Sequence, residues 1–285
     1  MRSGFGFKKE WIHFTRTFRF AGLLISIFSF ALANPLMYRV LQVMMQMMNE
    51  MSTELAEIEP AMEGYGDLMV WAADMLNQAE MIFSGTLIEL CGTSLIIAML
   101  ILMAPFGGEQ KKRATIIPAT SGLDYKYYLL PKFVLYPAVF FCANFLAGII
   151  AGCLCNALFD GNIGADMILL ASLLCSVYLL FIITVYMALG LCTSHPGIMT
   201  ISVYLGQSLV NLILASLGLE RYNPFTLYNL ISGAMFAEDF SLGKETTSIV
   251  VAVVLALVIS VLMYVLTLSV LKAKRINNQE DKPEF

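Results

Sequence analysis

The sequence predicts an all-α membrane protein that crosses a bilayer six times. Of its 285 residues, 59% are hydrophobic and only 13% are charged, a composition that excludes an ordinary soluble domain. A mean hydropathy of +0.77 also excludes a disordered chain. The apolar residues form continuous runs of membrane-spanning length, whereas the strands of a β-barrel would alternate. We therefore expect residues 1–285 to form a single transmembrane domain.

Residues 1–19 are predicted to form an amphipathic helix that lies at the membrane interface. Aromatic residues recur with helical spacing and place one apolar stripe along it, opposite a basic face. The stripe consists of Phe7, Trp11, Phe14 and Phe18. An apolar face beside a basic one is typical of a helix that rests on a bilayer without crossing it.

Six apolar runs follow, and each is predicted to be a membrane helix. The predicted spans are 20–35, 82–105, 133–156, 167–192, 198–217 and 248–271. Gly148 and Gly152 lie four residues apart in the third span, a spacing that favours close approach of another helix.

Residues 36–81, between the first two spans, are predicted to form an extracytoplasmic helical hairpin. An apolar stripe with alternating steps of three and four residues predicts one packed face on its first helix. That stripe is Leu41, Met44, Met48, Met51, Leu55 and Ile58. Pro60 then breaks the pattern, and residues 67–80 are expected to return to the membrane. A soft-metal site is the alternative for the methionines, but their spacing already fits a packed seam, and we expect no metal site.

The second span contains Glu89, together with Gly85, Gly92 and Thr93 on the same predicted face. A charged side chain near the middle of a bilayer costs about 2.5–3.5 kcal/mol on insertion scales. Glu89 is therefore expected to face another helix or a water-filled cavity. Two interpretations stay open, a substrate or ion pathway and a hydrogen bond in helix packing.

The segment 106–132 is a polar loop between the second and third spans, and it carries five Lys or Arg residues. Basic loops remain on the cytoplasmic side of a membrane. Within this loop, Tyr125–Leu130 is predicted to form a short helix that ends before Pro131. Residues 218–247 contain an apolar stretch too short to span, and we expect an outer re-entrant region there.

The distribution of basic residues predicts the orientation. With both termini and the 106–132 loop in the cytoplasm, 14 of the 17 Lys and Arg residues lie inside. This asymmetry agrees with the positive-inside rule and favours a multi-pass protein of the cell membrane whose N- and C-termini are cytoplasmic.

Recognisable catalytic motifs are missing from the sequence. It has no glycine-rich phosphate loop ending in Gly-Lys-Ser or Gly-Lys-Thr, no zinc-protease motif and no serine nucleophile elbow. All six cysteines lie in apolar runs, so a disulfide framework is not expected. We expect a chain that is not an enzyme, binds no cofactor of its own and has no nucleic-acid partner.

The 106–132 loop, with the six spans and the amphipathic N-terminal helix, resembles the ABC-2 type permeases, the membrane subunits of ATP-binding-cassette exporters. The loop contains an acid, a basic cluster, a Thr, an apolar pair, a Ser and a Lys opening the third span, in the order found in that family. The resemblance implies that ATP and Mg²⁺ bind a separate ATPase subunit and that a second permease subunit completes the pathway. The expected ATPase-docking residues are Glu109, Thr115, Ser121, Tyr125, Tyr128 and Lys132.

Two other classes of function remain open at this stage. One is a stand-alone secondary transporter or channel in which Glu89 is the coupling acid. The other is a membrane immunity or sensor protein whose 36–81 hairpin is the binding module. The sequence carries no code for the identity of a transported substrate.

Overall fold

The computed structural model describes residues 3–56, 78–103, 125–159, 161–193, 195–232, 234–236 and 242–280. The described regions are helical, and six of their helices are long and apolar enough to cross a membrane, which confirms the predicted class. In chain order the helices are α1 (Ser3–Arg16), α2 (Arg19–Ala56), α3 (Ala79–Glu89), a π segment (Leu90–Ser94), α4 (Leu95–Met103), α5 (Tyr125–Leu158), α6 (Ala165–Cys192), α7 (Pro196–Ser216), α8 (Thr226–Ile231) and α9 (Leu242–Glu280). Short 3₁₀ turns at Glu220–Tyr222 and Ala234–Phe236 flank α8.

Helix α6 is the centre of the bundle. Two thirds of its span (67%) is buried by its neighbours, against 11% for the span in α7 and 17% for that in α9. Helix α5 packs closely along α6. A Cβ added at Gly148 would lie only 2.6 Å from Ser172 Oγ, and one added at Gly152 would lie only 2.7 Å from Ile168 Cγ2, so neither position has room for a larger side chain. The two glycines thus permit the close approach that their spacing predicts.

The N-terminal helix α1 packs against the beginning of α5. Phe14 is fully buried, and its ring meets that of Tyr136 edge to face at a centroid distance of 4.8 Å. Trp11 and Phe18 from the same predicted stripe are exposed. Phe18 connects α1 to α2 with a φ of 60°, a left-handed conformation that turns the chain sharply between the two helices. The interfacial position of α1 stays a prediction.

The first span extends well beyond its predicted end. Residues Arg19–Ala56 form one continuous helix, and Pro35 lies inside it. The predicted end of the first span at Pro35 is therefore wrong. Proline is tolerated within membrane helices because neighbouring groups and local adjustment satisfy the backbone carbonyl that it leaves without a donor.

The predicted packed seam on this helix is not confirmed over the part whose side chains are described. Leu41, Met44 and Met48 are 40%, 55% and 49% exposed, so no other element of the described chain covers them. The helical conformation predicted for this stretch is confirmed up to Ala56. Ile58 and most of the predicted returning helix lie outside the described residues.

The third span likewise begins earlier than predicted. Tyr125–Leu130 is helical, but it forms the first turns of the continuous helix α5, which includes both Pro131 and Pro137. The prediction of a short loop helix that is separate from the third span is therefore wrong, because the two form one helix. The second span is interrupted in a way that the sequence did not indicate, by the π segment between α3 and α4.

Candidate functional site

A polar cavity lies between α6, α7, the π segment and the turn that leads into α8. Its volume is about 110 Å³. The lining residues are Cys91 and Gly92 of the π segment, Tyr178 of α6, Tyr204, Gln207, Ser208 and Asn211 of α7, and Phe225 and Tyr228 at α8. Tyr178 is at the midpoint of α6 and Gln207 is at the middle of α7, so the cavity lies halfway along the spanning helices.

Helix α7 provides the largest share of the polar lining. Tyr204, Gln207, Ser208 and Asn211 follow one another with steps of three, one and three residues, which places them on one helical face. This polar stripe was not among the features predicted from the sequence. The signal was present, since the span in α7 has a mean hydropathy of 1.7, the lowest of the six spans.

Tyr178 joins the elements around the cavity. Its hydroxyl donates a hydrogen bond to Gln207 Oε1 at 3.1 Å, which connects α6 to α7. Its ring lies 5.5 Å from that of Tyr228 and 6.3 Å from that of Phe225, measured between centroids. Three parts of the chain that are distant in sequence therefore meet at one aromatic side chain.

The turn before α8 is shaped by Asn223. This buried side chain accepts a hydrogen bond from the Phe225 backbone N–H at 2.8 Å and donates one to the Leu219 carbonyl at 2.9 Å. Such a side-chain bond to the backbone two residues later defines a tight turn. It holds Phe225 against the aromatic rings of α6, including Phe181 at 6.1 Å. The outer re-entrant assignment of 218–247 stays a prediction.

The cavity retains hydrogen-bonding capacity. Asn211 Nδ2 lies 3.4 Å from Asn229 Oδ1, a long hydrogen bond between α7 and α8. The buried Asn211 Oδ1 has no hydrogen-bond partner within the described part of the chain. An acceptor left in this way is costly in an apolar environment unless water or a ligand supplies a donor or a positive charge.

The π segment places Cys91 and Gly92 at the cavity. Single π turns within α helices occur frequently at functional sites, because one extra residue per turn redirects the side chains. A Cβ added at Gly92 would meet no atom within 4 Å, so this glycine leaves open space. Cys91 Sγ lies 3.6 Å from Cys175 Sγ, and both thiols are free and buried.

Glu89 and Thr93 do not have the surroundings that we expected. Both are exposed on the outer surface of the second span, and neither lines the cavity. Thr93 Oγ1 donates a hydrogen bond to Glu89 Oε2 at 2.7 Å. No other helix of the described chain covers Glu89, so the prediction that it faces another helix or a cavity is not confirmed and stays a prediction. Gly85 from the same face is half-buried beside Tyr38 of α2.

Lys132, an expected docking residue, is completely buried. Its Nζ lies 3.8 Å from Glu10 Oε1 of α1 and 4.8 Å from the centre of the Tyr128 ring. The Tyr136 hydroxyl donates to Glu10 Oε2 at 3.3 Å. Because α1 covers this side chain, Lys132 is not available to another subunit, and its assignment to the docking surface is corrected.

The remaining docking residues are only partly within the described regions. Tyr128 is half-buried beside Lys132, and Tyr125 is the first residue of α5. Glu109, Thr115 and Ser121 lie outside the described residues, as does most of the 106–132 loop. Across the described ranges, no group of three or more His, Cys, Asp or Glu side chains is arranged to hold a metal ion.

Comparisons with known proteins add no assignment to this geometry. Neither protein-family models, nor curated proteins, nor solved structures match the chain.

Proposed function

We propose that this chain is the membrane-spanning permease subunit of an ABC-2 type transporter, which exports a substrate with ATP hydrolysed by a separate subunit. The observation that carries the proposal is the polar cavity that lies halfway along three of the six spanning helices. Polar side chains at that depth are costly and mark substrate pathways in membrane proteins. The resemblance of the 106–132 loop to an ATPase-docking loop supports the ATP-driven class.

The proposal includes a second permease subunit, in the same or a different chain. One surface of this chain supports it, because Glu89 is exposed close to the middle of the second span. A second subunit would cover this carboxylate, which is unfavourable in contact with lipid tails.

A stand-alone secondary transporter is less well supported. That alternative requires a coupling acid in the pathway, and Glu89 does not line the cavity. The nine lining residues include no Asp or Glu at all. The cavity therefore offers a site for a ligand, but no carboxyl group that would exchange a proton or a metal ion with it.

The test of the proposal is purification of the full chain together with the ATPase encoded beside it. We expect the two to remain associated in detergent and the complex to hydrolyse ATP. We also expect Glu109→Lys combined with Tyr125→Ala to dissociate the complex, whereas Leu209→Ala, an exposed position on α7, leaves it intact. An unchanged complex and unchanged ATP hydrolysis in the loop variant would show that the loop does not couple the subunits.

Orientation is tested separately with reporter tags. We propose a cell-membrane location with cytoplasmic N- and C-termini, and tags at residues 1, 112 and 285 should then report the cytoplasm. Tags at residues 60 and 240 should report the opposite side. An extracytoplasmic report at residue 112 would contradict both the orientation and the docking role.

A further inference from the structure

The mid-span cavity has an unusual proportion of aromatic side chains. Tyr178, Tyr204, Phe225 and Tyr228 make up four of its nine lining residues. The faces of aromatic rings carry partial negative charge and attract cations within about 6 Å. Groups of such rings recognise quaternary ammonium ions, whose charge is spread over methyl groups and which cannot donate a conventional hydrogen bond.

The polar part of the lining is uncharged and includes oxygen acceptors that can face a cation. No Lys, Arg or His is among the lining residues, so an anion would find no positive side chain there. Gln207, Ser208 and Asn211 instead provide oxygen atoms, and Asn211 Oδ1 has no hydrogen-bond partner within the described chain.

The size of the cavity limits the part of a ligand that enters it. A volume of about 110 Å³ is smaller than the roughly 150 Å³ of an engineered protein cavity that binds benzene. This space suits a compact head group of about five non-hydrogen atoms and is too small for a whole lipid or peptide. The cavity is not fully enclosed, so the remainder of a longer ligand can extend beyond it.

From these three properties we infer that the cavity is a binding site for a small organic cation of the quaternary ammonium class. The rings of Tyr178, Tyr204 and Tyr228 contact the methylated head, and the oxygen atoms of α7 complete the shell. A hard metal ion is a poor alternative, because it requires several carboxylate or carbonyl ligands and the cavity has no carboxylate. The inference deepens the proposed function by naming the class of its cargo, and in that respect it rests on that function.

The first experiment isolates the effect of charge. Purified full-length protein is placed in nanodiscs of phosphatidylethanolamine and phosphatidylglycerol, because phosphatidylcholine itself carries the proposed head group. Radiolabelled choline is the probe, and tetramethylammonium and dimethylbutanol, in which carbon replaces the ammonium nitrogen, are the competitors. We expect saturable choline binding that tetramethylammonium competes for at least about 10-fold better than the neutral isostere does. Equal competition by both compounds, or no saturable binding, would overturn the inference.

The second experiment isolates the aromatic face. Tyr204→Leu should weaken choline binding by about 2- to 30-fold, the range expected for one cation–π contact, while Tyr204→Phe keeps the ring and should retain most of the affinity. Leu209→Ala on the exposed side of α7 is the matched control and should bind as the unmodified chain does. Unchanged affinity in Tyr204→Leu would exclude the aromatic contact.

These binding measurements require neither ATP nor a partner subunit, so their failure is distinguishable from failure of the proposed function. Choline binding without an associated ATPase would leave the cation site standing and remove the ABC-2 assignment. An ATP-hydrolysing complex whose cavity binds no organic cation would support the ABC-2 assignment and overturn the cation site.

Discussion

Two carboxylates, Glu10 and Glu89, show opposite relations between sequence context and burial. Glu10 belongs to an amphipathic helix with many charged residues, yet it is only 5% exposed and lies against Lys132 and Tyr136. Glu89 belongs to a strongly apolar run, yet it is exposed and its described hydrogen bond comes from Thr93 one turn away. The more polar stretch of sequence thus contains the more deeply buried acid.

The difference teaches that a partner from another helix decides the burial of a carboxylate. Helix α5 presents a cation and a hydroxyl to Glu10, so desolvation of the acid is offset by an ion pair and a hydrogen bond. Within the described chain, no other helix offers Glu89 a cation, and its side chain remains on the outer surface of the helix bundle. Hydropathy of the surrounding sequence predicts the depth of a residue in the membrane, but not the direction in which its side chain points.

The largest effect that we predict is from Lys132→Met. This change removes the cation beside a buried carboxylate, and breaking such a pair typically costs about 3–5 kcal/mol. We expect a strongly lowered apparent unfolding temperature in detergent. Lys126→Met, at an exposed position of the same helix, is the control and should change stability little.

A double substitution sharpens the interpretation of that result. Glu10→Gln combined with Lys132→Met removes both charges, and we expect it to recover much of the stability lost in Lys132→Met. Equal loss in the single and double variants would mean that the stability depends on the packing of the lysine stem and not on the charge pair.

The second prediction concerns Glu89 in the isolated segment Ala79–Met103. In an insertion assay, Glu89→Leu should favour membrane insertion by about 2.5–3.5 kcal/mol, because the carboxylate lies close to the middle of the span. Glu80→Leu is the matched control, since Glu80 lies in the first turn of α3, where the cost of a charge is smaller. Similar changes in the free energy of insertion at the two positions would show that the Glu89 carboxylate lies outside the hydrocarbon region.

Tyr136→Phe tests the hydroxyl contribution to the buried pair. The change removes the hydrogen bond to Glu10 Oε2 and keeps the ring that packs on Phe14. We expect a loss of about 1–2 kcal/mol, clearly less than for Lys132→Met, measured in the same thermal assay. A larger loss of stability than that of Lys132→Met would show that the Tyr136 hydroxyl stabilises the buried Glu10 more than Lys132 does.

The smallest effect is expected for Thr93→Val. Its hydrogen bond to Glu89 joins two exposed residues four apart on one helix, and such pairs contribute about 0.2–0.5 kcal/mol. Thermal unfolding should therefore be nearly unchanged. A loss comparable to that of Tyr136→Phe would indicate that Thr93 and Glu89 are covered in the assembled protein.

Much of the fold was predictable because one physical requirement dominates it. A bilayer requires runs of about 20 apolar residues, and these were visible in the sequence as six spans. The ends were harder to locate, since Pro35 and Pro131 normally terminate helices in water but are retained inside α2 and α5. The packing role of Gly148 and Gly152 followed from spacing alone.

The candidate site was less predictable. The polar stripe on α7 was readable in principle, since it repeats with helical spacing inside an apolar run. The roles of Tyr178 and Tyr228 were not, because they depend on contacts between helices far apart in sequence. The burial of Lys132 was hidden for the same reason, since its partner Glu10 lies in a different helix.

The π segment Leu90–Ser94 has a consequence for how this span compares with others. It adds one residue to a helical turn, and the turn widens to hold that residue, so α3 and α4 keep nearly the helical phase that they would have in a regular helix one residue shorter. Removing one residue there would therefore restore regular α-helix and leave the faces of α3 and α4 close to their present orientation, while the wide turn at Cys91 and Gly92 would be lost. In an alignment, a single-residue gap at this point would therefore mark the loss of a π turn inside the membrane and not a loop.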